Sequence, residues 1–396
     1  MALSPHAAED VVARRPAPDR LRRRVSELLA SAGVRLDGTA PTDLRVRDPR
    51  FFTEVLSRGS LGLGETYMDG AWDTDDLDGL LTRLMRARLH ERVHGLDAWW
   101  TVARATLRNM QSRRRARRVG RVHYDLGNDL FRAMLGERMV DSCGYWARAA
   151  TLDQAQEAKL DLIARKLELA PGMKVLDIGC GWGEALKFMA ERNGVSGVGV
   201  TISKEQAALA RELCRGLPVE IRLQDYRELR GDTADSRFDR IFSIGMFEHV
   251  GARNYDTYFD VARRCLRDEE ATGGGLFLLH TIGSNVSVRH TDPWIGRYIF
   301  PNSMLPSARQ IAACTEGRFV TEDWHNFGTD YDLTLQAWRD NIEAAWERLP
   351  RYDERFRRMW RYYLAASMAA FRARRIQLWQ LVLSPRGVPG GYVAPR

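Results

Sequence analysis

The most constraining stretch of this 396-residue chain is 174–184, where the apolar run Val175-Leu176-Asp177-Ile178 breaks into Gly179-Cys180-Gly181-Trp182-Gly183. A buried strand turning sharply into a helix explains both halves, because glycine at alternate positions opens backbone conformations closed to other residues. The same glycines let a ligand approach the main chain closely, although a purely structural turn would need them too. The spacing is G-x-G-x-G, whereas the dinucleotide fingerprint is G-x-G-x-x-G with an acid about twenty residues on. Here the next apolar strand, 197–200, runs into Thr201-Ile202-Ser203 without a carboxylate, which argues against NAD.

From this point strands and helices alternate. Helices are expected at 153–169, 184–192, 204–215 and 255–266, and strands at 175–178, 197–200, 219–223, 238–244 and 276–280. That alternation predicts a parallel sheet with right-handed crossovers, and ligands in such sheets bind at the carboxyl ends of strands. The residues there are the first candidates: 177–183, 201–206, 224–226, 245–249 and 280–283. Beyond Pro306, a tryptophan-rich stretch (Trp324, Trp338, Trp346, Trp360, Trp379) and long amphipathic helices are expected to cover the site.

Before the alternation, residues 1–20 are rich in Pro and Ala and read as a disordered tail. Residues 21–109 read as a small α/β domain with its own core: helical periodicity at 21–32, a short strand at 43–48, glycine punctuation at 59–65 and two helices over 77–111. A basic linker, 110–122, carries the run Arg113-Arg114-Arg115-Ala116-Arg117-Arg118, and 123–396 reads as the catalytic domain.

Charge narrows the partners. The chain has 60 basic against 52 acidic residues, a net charge of +8, and only five of the basic residues are lysine. Arginine's planar fork suits phosphate oxygens. A solvated linker is one reading of the arginine run. Attraction to anionic phospholipid, at about 1 kcal/mol per basic residue near such a surface, is the other. Nucleic acid is not expected, since no helix-turn-helix, RRM or zinc pattern accompanies the charge. The five cysteines are scattered without a C-x-x-C, so neither a disulfide framework nor a metal site is expected. No leader-like segment opens the chain, and no run reaches the roughly 18 apolar residues of a membrane span. The expected location is cytoplasmic, peripheral on the inner face of the membrane.

The glycine spacing looks like that of class I S-adenosylmethionine-dependent methyltransferases, and a longer series of motifs narrows it. HYDLGNDLFRAML from His123, DSCGYW from Asp141, LDIGCGWG, GVTIS, LQDYR, GMFEHVG, HTIGS, DPWIGRYIFPN, WHNFGTDYDLTLQAW and FRARRIQLWQ follow in order to residue 380. Together they resemble the cyclopropane-fatty-acyl-phospholipid synthases of the cyclopropane and mycolic acid synthase family. GSLGLGETYMDG extends the likeness into the first domain.

The resemblance implies an α/β class I methyltransferase fold, Rossmann-like, with a mostly parallel sheet under a helical cover and a small N-terminal α/β domain. It implies methyl transfer from S-adenosylmethionine to the cis double bond of a phospholipid acyl chain. Proton loss to a bound bicarbonate then closes a cyclopropane ring. The implied bicarbonate pocket is Cys143, Glu248, His280, Ile282 through its main chain, and Tyr331. Taken singly, each is more often a packed core residue than a catalytic one. A carboxylate partner for His280 would fix its tautomer and let it hold a small anion.

For the cofactor, the resemblance implies Asp177, Gly179, Gly181 and Gly183 around the methionine and ribose. Thr201 and Gln206 would take the ribose hydroxyls and Asp225 the adenine, with Ser142, Cys180 and Gln224 alongside. Two positions depart from the pattern: Asp141 stands where relatives commonly have Tyr, and Ser367 where many carry Cys. The implied partners are a bilayer surface with unsaturated acyl chains and a second copy of the chain. A methyl-branched fatty acid is the alternative product.

Overall fold

The computed structural model describes residues 18–89, 127–268, 274–288 and 290–396. The tail to residue 17, the second helix expected before residue 111 and the run at 113–118 fall outside them. Seven strands form one sheet: β3 (Lys174–Ile178), β4 (Ser196–Thr201), β5 (Val219–Leu223), β6 (Arg240–Ile244), β7 (Leu276–Ser284), β8 (Val320–Asn326) and β9 (Ile376–Ser384). A separate two-stranded pair, β1 (Arg45–Val46) and β2 (Trp72–Asp73), precedes them. The large sheet runs in the order β5-β4-β3-β6-β7-β9-β8. Strands β3 to β7 pair parallel, and β9 pairs antiparallel with both β7 and β8.

The order places β4 on one side of β3 and β6 on the other, so the chain reverses its winding at β3. Helices leaving β3 and β6 therefore diverge, and a crevice opens over the carboxyl ends of these strands. Both faces of the sheet are covered. On one side Leu176, Ile178, Ile241 and Phe277 pack with the helix Tyr255–Cys265. On the other, Val175, Phe242 and Leu278 pack with the helices Leu152–Lys166 and Glu184–Asn193. Each such aliphatic or aromatic side chain, fully buried, contributes about 1.5–3 kcal/mol, which makes β3 and β6 a rigid platform for whatever their ends carry.

Strands β8 and β9 were not expected. The helix Glu354–Arg372 passes into β9 through Arg374, whose positive φ of 55° reverses the chain without a glycine. Strand β8 carries Glu322, Asp323 and His325 because it lies at the sheet edge, so its apolar alternation is weak.

The N-terminal segment also differs from expectation. Val25, Phe51, Trp72 and Leu80 belong to the same buried cluster as Trp338, Trp360 and Leu364 of the helices Thr329–Glu343 and Glu354–Arg372, so its core is shared. The glycine-rich 59–65 is not a turn but most of the helix Ser60–Met68. Its glycines admit neighbours: a Cβ on Gly62 would lie 2.1 Å from the Glu54 carbonyl oxygen, and one on Gly64 would lie 2.3 Å from Trp294.

Candidate active site

The crevice holds a cavity of about 180 Å³. Asp177, Gly179, Cys180 and Gly181 line it from the end of β3, Thr201 from the end of β4, Gln206 from the first turn of the helix Lys204–Leu213, Gln224 and Asp225 from just after β5, and Ser142 from the loop preceding the helix Leu152–Lys166. Gly183 is not on the wall. It caps the helix Glu184–Asn193 at φ 83°, and a Cβ there would press on Ala210 at 3.0 Å.

Several of these groups are fixed in place. Thr201 Oγ1 donates to Gln206 Oε1 at 3.0 Å. The Asp225 carboxylate is held by the fork of Arg227, with Nε and Nη2 donating at 2.8 and 2.6 Å. Asp177 carries no such fork, and burial raises its pKa well above the usual carboxylate range.

A second group of polar side chains adjoins the cavity. Glu248, on a short 3-10 turn after β6, accepts the Ile282 backbone N–H on Oε1 at 2.7 Å. Its Oε2 is buried and has no hydrogen-bond partner among the described residues. Burial pushes its pKa up to about 7, against the hydrogen bond from Ile282. His280 lies two positions before Ile282 on β7, so their side chains share a face. Its Nδ1 is 3.2 Å from Gln380 Nε2, and its Nε2 is likewise buried without a partner among the described residues. Burial holds its pKa well below the ordinary value, so the ring is neutral. With the Gln380 amide nitrogen donating to Nδ1, the ring proton sits on Nε2.

Tyr331 stacks on Phe371 at 4.7 Å, and Asp141, Cys143 and Glu248 all lie within electrostatic reach of its hydroxyl. Cys143 is buried beside Thr334, whose Oγ1 is 3.8 Å from Sγ. Burial raises its thiol pKa, so it remains protonated and is not a nucleophile of the activated type.

The structure therefore brings Cys143, Glu248, Ile282 and Tyr331 together, with His280 on the same strand face as Ile282. One detail departs from expectation: the partner of His280 is an amide, Gln380 of β9, rather than a carboxylate. The Ile282 main-chain N–H is engaged by Glu248.

Sequence reasoning also missed Lys159 and Gln156. Lys159 Nζ donates to Ser142 Oγ at 2.8 Å and to Gln156 Oε1 at 2.6 Å, and Gln156 Nε2 donates to the Ser142 carbonyl at 2.9 Å. They hold the loop between the cavity and the polar group, and burial pulls the Lys159 pKa down to about 7. Ser367 is half-buried on the helix Glu354–Arg372 and does not line the cavity.

Residues 111–381 match the mycolic acid cyclopropane synthetase family model. The chain belongs to this family. The cyclopropane-fatty-acyl-phospholipid synthase of Escherichia coli (strain K12) is 54% identical over 380 residues, covering 96% of this chain and 97% of that protein. A tuberculostearic acid methyltransferase of Mycobacterium tuberculosis is 34% identical over 403 residues, covering 94% and 91%. Among solved structures, a Mycobacterium tuberculosis cyclopropane synthase superposes with a TM-score of 0.61 at 28% identity, covering 68% of this chain and 98% of that one. A mycolic acid cyclopropane synthase complexed with SAH and CTAB gives 0.60 at 31%, with the same coverage. This mycolic acid cyclopropane synthetase family member is accordingly a methyltransferase of the S-adenosylmethionine-dependent class. Among its described residues no helix is long and apolar enough to cross a membrane.

Proposed function

We propose that this enzyme transfers a methyl from S-adenosylmethionine to the cis double bond of an unsaturated phospholipid acyl chain and closes a cyclopropane ring, with bicarbonate in the Glu248–His280 cluster as base. The observation that carries this reading is the pair of buried polar atoms without a partner among the described residues, Glu248 Oε2 and His280 Nε2, beside a cavity at the strand ends. Orphaned polar atoms of this kind are costly in a fold unless a ligand completes them.

The fit is chemical. A carboxyl with a pKa near 7 is protonated for much of the time at neutral pH and donates from Oε2, while a neutral imidazole donates from Nε2. A small oxyanion accepts from both. When bound, S-adenosylmethionine supplies the electrophilic methyl and bicarbonate the base. The chain supplies position, since an alkene is a poor nucleophile and reacts only when held close and in line. Methylation leaves positive charge on the acyl chain, which survives where water is excluded. The stacked rings of Tyr331 and Phe371 offer it aromatic faces.

The substrate comes from the membrane surface. The enzyme acts there peripherally, on the inner face, and the arginine run at 113–118 attracts anionic headgroups. Segment 21–109 serves lipid docking or the coupling of two subunits. Replacing the five arginines of the run by Gln is expected to weaken binding to anionic vesicles severalfold at low salt, with the difference shrinking at high salt because counterions already screen it. Equal binding by both proteins at low salt contradicts the role.

The whole reading is tested by incubating the enzyme with S-adenosylmethionine, bicarbonate and vesicles of monounsaturated phospholipid. Acyl chains heavier by one CH2 that resist hydrogenation are expected, and unchanged chains contradict it. The likeness to a tuberculostearic acid methyltransferase supports a second reading, a methyl-branched product. Mass spectrometry after mild hydrogenation separates branch from ring.

A further inference from the structure

Strand β9 carries an amide where packing calls for an aliphatic side chain. Gln380 shares a face with Leu378 and Val382, two positions away on either side, and all three are fully buried. It stands opposite His280 of β7 in one register and opposite His325 of β8 in the other, so the two histidines flank it on that face. Its Nε2 is 3.2 Å from His280 Nδ1, while its Oε1 is buried with no hydrogen-bond partner among the described residues. Fold stability does not account for a buried amide satisfied at one end, since an apolar side chain of similar volume would leave nothing unpaired.

The other end of the ring supplies the reason. Burial keeps His280 neutral, and the buried cations Lys159 and Lys166 act in the same direction. Lys166 is held close by on His325, whose Nδ1 is 3.2 Å from its Nζ, and on Asp323 at 2.8 Å. A ring kept from becoming imidazolium holds one proton, which sits on Nδ1 or on Nε2. A proton on Nε2 makes that atom a donor into the polar cluster. A proton on Nδ1 would turn a lone pair toward any anion there.

We infer that Gln380 is a positioning residue for the reaction: by donating to Nδ1 it places the His280 proton on Nε2, where it faces the oxyanion held with Glu248. The inference rests on the bicarbonate reading above. Gln380→Glu reverses the bond, because a carboxylate beside these cations accepts from Nδ1–H. Gln380→Met keeps the volume and drops the donor.

The test is NMR of the protein labelled at its histidine ring nitrogens, with the His280 signals identified by their loss in His280→Gln, together with turnover titrated against bicarbonate in CO2-free buffer at pH 8. In wild type, Nε2 should carry the proton and Nδ1 none, and added bicarbonate should shift the Nε2–H signal. Gln380→Glu should move the proton to Nδ1, raise KM for bicarbonate about 10- to 100-fold and leave KM for S-adenosylmethionine within about twofold. Gln380→Met should raise the bicarbonate value by less. A proton on Nδ1 of wild-type His280 overturns the proposal, and so does an equal rise of both KM values in Gln380→Glu. If neither variant folds, the wild-type spectrum decides alone. An Nε2–H signal that bicarbonate leaves unmoved contradicts the bicarbonate reading itself, and with it the purpose assigned to the amide.

Discussion

Replacing Glu248 by Gln is expected to abolish turnover, leave affinity for S-adenosylhomocysteine within about twofold, and stabilise the fold increasingly as pH rises. The first two follow from position and chemistry: Glu248 stands in the polar cluster and not on the cavity wall, and an amide in its place can hydrogen-bond a small oxyanion but cannot exchange a proton with it. The third follows from linkage. The carboxyl has an ordinary value of 4.5 and is pushed to about 7 by burial, so the folded chain binds this proton more tightly than the unfolded chain. Its contribution to stability is complete below pH 4.5 and is lost as pH rises through about 7. At ~1.4 kcal/mol per pH unit, ionising it in place costs about 3 kcal/mol in alkaline solution. Glutamine resembles the protonated acid and is indifferent to pH. Melting temperatures at pH 5 and pH 8 check this: the variant should gain on wild type between the two. A constant difference, or equal loss of turnover and affinity, would show that Glu248 is only structural. His280→Ala should also abolish turnover, and it leaves Gln380 without its partner.

Gly179→Ala is expected to lower affinity for S-adenosylhomocysteine about 100-fold or more. Gly179 sits at φ 94°, where a side chain costs about 1–3 kcal/mol. A Cβ there would also lie 2.6 Å from Met246 Cγ, so the turn after β6 must move. That turn lines the cavity through Met246 and His249 and carries Glu248. Gly183→Ala is the control, because its Cβ would meet Ala210 and Cys214 behind the cavity. It should lower the melting temperature yet leave the affinity of the folded protein nearly unchanged. Similar affinities for the two variants would mean that the Gly179 turn does not shape the cavity.

The parallel half of the sheet was legible because β3, β4, β6 and β7 are largely buried, mostly apolar runs and most neighbours in sequence are separated by helices, and the strand-end rule then led to Asp177, Thr201, Asp225 and Glu248. The antiparallel half was not. Nothing local marks Arg374 for a positive φ, and β8 has only Asp323 clearly buried among its neighbours. Gln380 was therefore missed, although it lies within the quoted motif FRARRIQLWQ: its role depends on β9 lying against β7, which packing alone decides. Lys159 was missed for a similar reason, being on the helix before β3. A signal for it was present. In a chain with five lysines among 60 basic residues, a lysine stands where arginine will not serve, and Lys159 and Lys166 are both fully buried. The glycines at 59–65 misled because close helix packing needs glycine as much as a turn does.

The mechanism proposed above has one hydrogen leave the transferred methyl before the ring closes, and isotopic labelling reads that loss directly. With S-adenosylmethionine bearing a trideuterated methyl and vesicles of monounsaturated phospholipid, mass spectrometry of the released acyl chains should find two deuteriums in the added carbon. Three retained deuteriums, or chains left unmodified, would contradict proton removal at this site.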